Sequence, residues 1–522
     1  MVNQIIFVSP PNLQLGHFHS FLPRAVPFGV GLLAARMRAL GEQVQLWDLE
    51  LHNYSDDEIM RVVPDGGAGV IFGISCMTPN AAQGYAFARR IRQIAPAVRI
   101  VFGGIHPSAV PEEPLLEGCA DVVVRGEGEE VIPELLMRWR NYKEVAGQPG
   151  VSCRDASGQI IHGPSAPPIR DLDAYPPFPY DLIDLSKYHL GLIQTSRGCP
   201  YNCIFCSQRV ITGRHYRYHK TERVISELEF LVNHCHQTSI MFVDDFFTAD
   251  HQRVTELCGE IRRRRLHEKV CFGAQTRADK LDRKILREMR SSGFENLSFG
   301  FETASEAIMT LIDKKETIAE IVRGVQLARQ EDFNVEGVFI FGFPGETIED
   351  RLRCFRLARE VGLGRVRFNN VIPYPGCRLF NMAKKEGRLT VRKNWSNFNS
   401  AGAVSSRLGS NYVLPYVPEG TKDGALQGDV LLANILFYFD LRKLAKMVTP
   451  KREPSGIGFE LTFRQLLKPV KIACFVFAIA TMLLRTLWFL LTQKECRRFL
   501  WLILIRRLPE LELPVREALK EI

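Results

Sequence analysis

The chain has 522 residues, 46% hydrophobic and 24% charged, a balance that gives two or three folded domains and excludes a disordered or low-complexity protein. Its 13 cysteines lack the paired spacing of a disulfide framework, and the Met1-Val-Asn-Gln-Ile-Ile start lacks the basic-then-apolar layout of a signal peptide, so the expected setting is a reducing cytoplasm. The net charge of +9 is local: residues 441–507 hold 14 Lys and Arg against 3 Glu, which disfavours a nucleic-acid surface and favours an anionic membrane surface against the tail.

Residues 1–140 alternate apolar strand-like runs (Ile5–Ser9, Val44–Leu46, Gly69–Ile74, Arg99–Gly103, Asp121–Val124) with helical patterns (Gly31–Leu40, Asn80–Ile94, Glu129–Arg140). Five such repeats predict an α/β domain with a doubly wound parallel sheet and a ligand at the carboxyl ends of its strands. The loops there are rich in small residues: Ser9-Pro-Pro, Ser75-Cys-Met-Thr78, Gly103-Gly104-Ile-His106 and Arg125-Gly126-Glu127-Gly128. Glycines let a ligand approach the backbone closely, but ordinary βα turns use the same residues, so both readings stand.

Residues 141–190 carry Pro164, Pro167, Pro168, Pro176, Pro177 and Pro179 and read as a linker, with a small hairpin over Val151–Ile161. From 191 to 390 the βα rhythm resumes. Strands are expected at Leu192–Thr195, Ile240–Val243, Val270–Ala274, Leu297–Gly300, Val335–Phe341 and Val366–Val371, and six units make a partial barrel. The loop after its first strand holds Cys199, Cys203 and Cys206 in C-x3-C-x2-C spacing. Three thiolates can hold three irons of a [4Fe–4S] cluster and leave the fourth open. A structural zinc site wants two separated pairs of ligands, and outside this loop no C-x2-C pair occurs.

The cysteine loop resembles that of the radical S-adenosylmethionine superfamily. With Gly103-Gly-Ile-His106-Pro-Ser and Val122-Val-Val-Arg-Gly-Glu-Gly-Glu upstream, the chain resembles the cobalamin-binding members over about residues 1–390. The resemblance implies three cofactors: a [4Fe–4S] cluster on the three cysteines, S-adenosylmethionine and cobalamin. It gives Phe205 the adenine. Of the adjacent Asp244 and Asp245, one suits a helix N-cap, and the other, Asp244, takes the amino group of S-adenosylmethionine. Arg277 and Glu302, at the ends of later strands, hold its carboxylate or ribose, with a structural salt bridge the alternative for Arg277. Ser75, Thr78, Gly103, Gly104, His106, Gly126, Glu127 and Gly128 contact cobalamin. His106 is expected beside the corrin and not on cobalt, because the D-x-H-x-x-G motif is absent. Tyr374, in a rim loop, is a candidate to touch substrate.

The implied reaction is reductive cleavage of S-adenosylmethionine to a 5′-deoxyadenosyl radical, then methyl transfer from cobalamin to an unactivated carbon of a lipophilic small molecule. Flavodoxin or ferredoxin is the expected reductant. The alternatives are an oxidative cyclase acting on a magnesium porphyrin ester and a non-catalytic, membrane-bound cobalamin-binding protein. Residues 391–522 read as a helical tail with apolar runs at Val430–Leu441, Ile472–Leu491 and Phe499–Ile505. Arg485 interrupts the longest run, while Trp488, Trp501 and basic flanks suit a helix lying on the cytoplasmic face of a membrane better than one spanning it. A buried hairpin over the active site is the other reading.

Overall fold

The computed structural model describes residues 4–11, 24–63, 67, 69–141, 143–406, 409–438 and 469–521. Strands β1 (Gln4–Ser9), β2 (Val44–Asp48), β3 (Val70–Ser75), β4 (Arg99–Gly103) and β5 (Val122–Val124) pair in parallel in the order β2-β1-β3-β4-β5. Side-chain alternation divides their apolar residues between two faces. Ile5, Phe7, Ile71, Val101 and Val122 pack with Val30, Ala34, Leu135 and Leu136 of the helices Phe28–Ala39 and Val131–Arg140. Ile6, Val8, Phe72, Ile100 and Phe102 pack with Tyr85, Ala88 and Ile91 of the helix Ala81–Ile94. Burial on both faces is what a doubly wound sheet needs.

The hairpin expected inside the linker is part of this sheet. Strand β6 (Val151–Arg154) pairs antiparallel with β5, and β7 (Ile160–His162) pairs antiparallel with β6. The first domain's sheet therefore extends past residue 140.

The second sheet holds β8 (Leu192–Ile193), β11 (Ser239–Phe242), β12 (Cys271–Thr276), β13 (Phe294–Glu302), β14 (Asn334–Phe341) and β15 (Arg365–Asn370), all parallel and in that order. Between β8 and β11 lies a two-stranded strap, β9 (Ser196–Arg197) against β10 (Arg217–Tyr218), for which the sequence offered no periodic signal. Outer helices begin at side-chain caps, including Asp250, Asp282, Thr317 and Thr347.

A partial barrel leaves an open edge at β15. The helix Asp423–Tyr438 covers it and supplies what a neighbouring strand would. Tyr438 Oη accepts from Val366 N at 3.0 Å and donates to Val366 O at 2.8 Å, while Asn434 accepts from Phe368 N at 3.2 Å and donates to Phe368 O at 2.8 Å. The apolar run expected at Val430–Leu441 thus belongs to the core through Tyr438; residues 439–441 lie outside the described residues. The helix Pro469–Thr492 packs on this layer. Among the described residues no helix is long and apolar enough to cross a membrane.

Candidate functional site

The cysteine loop leaves the carboxyl end of β8 through β9, and its three thiols are free and half-buried. Asp244 anchors the start of the loop. Its Oδ1 accepts from Thr195 N and Ser196 N, both at 2.6 Å, and its Oδ2 accepts from Thr195 Oγ1 at 2.6 Å. The carboxylate is fully buried, with Arg253 Nη2 3.9 Å away. This disfavours the assignment of Asp244 to a ligand's amino group: the carboxylate is fully buried and three of its acceptor directions are spent on the loop. The alternation signalled it, since Asp244 shares a strand face with the core residue Phe242. Asp245 is the carboxylate that faces the cysteines. It accepts from the Gly198 backbone, its Oδ2 is buried without a partner, and burial, with the charge of Asp244 added, pushes its pKa up to about 6. The helix N-cap falls instead to Asp250, which accepts from Arg253 N at 3.0 Å.

Burial pushes the thiol of Cys203 up to about 12 and that of Cys206 up to about 11, with Lys314 pulling Cys203 the other way. A bound metal must therefore displace protons that the protein alone retains. Phe205 stands half-buried against Phe343, ring centroids 5.6 Å apart.

Arg277 donates from all three of its nitrogens. Nε donates to Asp279 at 2.9 Å, Nη1 to Lys314 O at 2.9 Å and Nη2 to Lys315 O at 3.0 Å. Its guanidinium lies 3.7 Å from the ring centroid of Tyr201 in the cysteine loop. The fold contains the salt-bridge reading of Arg277, with Asp279. Glu302 sits at a positive φ of 62°, where the β13–β14 register shifts. Its Oε1 lies 3.4 Å from Lys314 Nζ, which is 3.3 Å from Glu316. Lys314, a buried ammonium whose charge reaches Cys203, went unforeseen because Asp313-Lys-Lys-Glu316 reads as a solvated charge run. Tyr374 lies on the rim loop after β15, half-buried against Phe398.

The first domain turns the carboxyl ends of β4 and β5 toward this loop. A Cβ on Gly103 would meet nothing nearer than Val124 O at 3.7 Å, and one on Gly126 nothing nearer than Ile211 O at 3.9 Å. These glycines form a floor of backbone, with Ile211 O in van der Waals range of Gly126. Gly104 has φ 92°, and a Cβ there would come 2.6 Å from Cys76 O and 2.8 Å from Ser75 Oγ, so it serves the turn. Gly128 packs on Leu33 and Ile132. Thr78 and His106 are buried against each other, Oγ1 to Nδ1 3.2 Å, with the imidazole edge-on to Trp395 at 5.1 Å. His106 is therefore a core residue and not a corrin contact. Glu127 is corrected too. Its Oε2 accepts from Arg217 at 2.6 Å and Ile169 N at 3.1 Å, and its Oε1 from Arg197 at 3.0 Å.

Facing the glycine floor is the helix Arg209–Thr212, which follows the cysteines. A Cβ on Gly376, in the rim loop after β15, would collide with Val210 and stand 3.2 Å from Ala109 of the first domain. Among the described residues no three His, Cys, Asp or Glu side chains close on one point as a single-ion site does. The donor set of three free thiols on one loop fits a polynuclear iron–sulfur cluster, whose corners take one thiolate each. A floor of backbone without side chains suits a ligand laid close on the main chain.

Two family descriptions match the chain, the B12 binding domain over residues 18–136 and the radical SAM superfamily over residues 193–358. An uncharacterized methyltransferase of Pyrococcus horikoshii is 30% identical over 414 residues, 77% of this chain and 88% of its own. The chain belongs to the cobalamin-binding radical S-adenosylmethionine family. The anaerobic magnesium-protoporphyrin IX monomethyl ester cyclase of Cereibacter sphaeroides is 29% identical over 346 residues, 64% of this chain and 55% of its own. Among solved structures, the cobalamin-dependent S-adenosylmethionine radical enzyme OxsB shares the fold, with a TM-score of 0.66 at 15% identity over 100% of this chain and 83% of that one. Members of this family are enzymes, and this chain's cofactors are a [4Fe–4S] cluster, S-adenosylmethionine and cobalamin.

Proposed function

We propose that the chain transfers a methyl group to an unactivated carbon of a lipophilic small molecule. The observation that supports this most directly is the loop of three free thiols, Cys199, Cys203 and Cys206, followed by a helix whose Ile211 meets the side-chain-free Gly126 of the first domain. When bound, the cluster with S-adenosylmethionine supplies a 5′-deoxyadenosyl radical, and cobalamin supplies the methyl group. Cys199, Cys203 and Cys206 hold the cluster. Phe205 packs on the adenine, and Asp245, with its unpartnered oxygen, takes the amino group of S-adenosylmethionine. Lys314 with Glu302 sets the charge around Cys203. Gly103 and Gly126 carry the corrin face, with Ser75 beside them. Flavodoxin or ferredoxin is the reductant.

The outer faces of the C-terminal helices attach the enzyme to the cytoplasmic side of a membrane, where lipophilic substrates collect. Phe477, Leu484, Trp488 and Leu491 stand exposed at three-, four- and seven-residue steps on one helix, and Trp501 and Leu504 continue on the next. Arg497, Arg506 and Arg507 flank them and suit anionic headgroups.

Oxidative cyclisation without methyl transfer is the second reading, favoured by the kinship with the porphyrin ester cyclase. The deciding experiment is anaerobic. Protein reconstituted with iron, sulfide and hydroxocobalamin is given dithionite, S-adenosylmethionine labelled in its methyl group, and a lipid extract. The expected result is bound corrinoid, 5′-deoxyadenosine and label in an extracted lipid, all but the first abolished by Cys203→Ala. Deoxyadenosine with an oxidised, unlabelled product would replace this reading with the cyclase. Deoxyadenosine without corrinoid would overturn the cobalamin half.

A further inference from the structure

We propose that Glu127 is a positioning residue that couples the cobalamin-side loop to the cysteine loop, so that filling one cofactor site changes affinity at the other. The inference rests on the reading of Gly103 and Gly126 as the cobalamin floor.

The strap β9–β10 places Arg197 and Arg217 directly opposite each other. Glu127 takes one arginine on each carboxylate oxygen, Arg197 at 3.0 Å and Arg217 at 2.6 Å, and so holds both strands at once. Glu129 adds a second hold on Arg197 at 2.7 Å. The four side chains are buried, between 4% and 15% exposed, and two cations balance two anions. Such a cluster resists shear, because moving either half strands a charge in a dry site.

What the cluster joins makes it more than a domain fastener. On one side, Glu127 is the next residue after Gly126, and Gly128 is pinned between Leu33 and Ile132. Any displacement of the floor is therefore passed to the Glu127 carboxylate. On the other side, Arg197 is followed by Gly198, at φ 87°, where a Cβ would strike the carbonyl of His215, and then by the ligand Cys199. One residue step separates the latch from the floor and two separate it from Cys199. Arg36 and Tyr175 hold the neighbouring Glu130 in the same loop, but that residue does not touch the strap.

The test measures hydroxocobalamin affinity by absorbance, with and without reconstituted cluster. For the native protein the cluster is expected to tighten binding by roughly fivefold or more, the range of ordinary site–site coupling. Glu127→Gln is expected to bind corrinoid in both forms with a ratio near one. Glu130→Gln is expected to keep the native ratio. Arg197→Lys preserves charge but cannot reach Glu127 and Glu129 together, and its ratio is expected to fall while corrinoid is still bound in both forms. As a second readout, the electron paramagnetic resonance signal of the reduced cluster should shift on corrinoid loading in the native protein and not in Glu127→Gln. A native ratio in Glu127→Gln and Arg197→Lys, or a ratio of one in the native protein, would overturn the coupling while leaving cobalamin binding intact. Failure of the native protein to bind corrinoid in either form would overturn the cobalamin reading and this inference with it.

Discussion

Arg485 donates to the backbone carbonyl of Ala403 at 2.9 Å, from the middle of a helix whose composition seeks lipid. It also donates to Ser406 O at 3.0 Å and to Gln427 at 3.3 Å, and only 5% of it is exposed. The arginine that argued against a membrane span faces protein. Arg485→Leu raises the hydropathy of the helix yet should lower Tm, since each buried carbonyl left unpaired costs about 1–3 kcal/mol. Thermal unfolding tests it, and an unchanged Tm would show that these bonds contribute nothing.

The exposed flank of that helix gives a complementary expectation. Trp488→Asp and Leu491→Asp remove exposed apolar groups and should leave Tm unchanged. Cosedimentation with vesicles containing phosphatidylserine should drop sharply in both, and for the native chain should weaken as salt rises. Equal sedimentation of variant and native protein would dismiss this face as the attachment surface.

Asp244 and Asp245 are neighbours with opposite duties. Asp244→Asn places an amide N–H₂ among donors from Thr195 and Ser196, so Tm and iron content after reconstitution should both fall. Asp245→Asn should keep the iron, because Asp245 holds no loop backbone other than Gly198, and should weaken S-adenosylmethionine binding in calorimetry. The reverse pattern would restore the assignment made from the sequence.

That inversion shows what was legible. The repeating apolar runs located the parallel strands of both sheets to within a few residues, and the cysteine spacing marked a loop that carries three free thiols, because both signals are local. The arginine partners of Glu127 lie 70 and 90 residues away, and those of Arg277 other than Asp279 lie at 314–316, so no spacing announces them. His106 misled for a different reason. Its motif-like loop is real, but the ring turns inward to Trp395, nearly 300 positions later. The strap and the covering of β15 were missed likewise, one being too short to show alternation and the other resembling a membrane helix.

His106→Gln gives a direct check on that correction. The loss of a buried ring beside Thr78 and Trp395 should lower Tm, at a cost of about 1–3 kcal/mol. The absorbance of bound hydroxocobalamin should not move. A spectral change like that of a lost cobalt ligand would return His106 to the corrin.

Arg351 lies between Asp429 at 2.9 Å and Glu346 at 3.3 Å, one cation for two buried carboxylates. Burial pushes Glu346 up to about 7 and Asp429 up to about 6, and each has one oxygen without a partner. Folded-state values above the unfolded ones mean that the folded protein binds more protons. The contribution is full below the ordinary carboxylate range and is lost as pH rises toward 7. Native Tm minus that of Glu346→Gln should therefore fall between about pH 4.5 and 7. A difference that rises with pH would place the charged form, and not the proton, as the stabilised one.

The way Asn434 and Tyr438 occupy the main-chain groups of Val366 and Phe368 has a consequence for how this chain can fail. Two side chains impersonate a seventh strand, so no real strand can join there while the helix stays in place. A chain cut before Asp423, or one whose helix peels away, presents β15 as a bare template to any copy of itself. The covering helix is then the guard that shields β15 once the chain is complete, and truncations designed to improve solubility by deleting it with the greasy tail should produce aggregates instead.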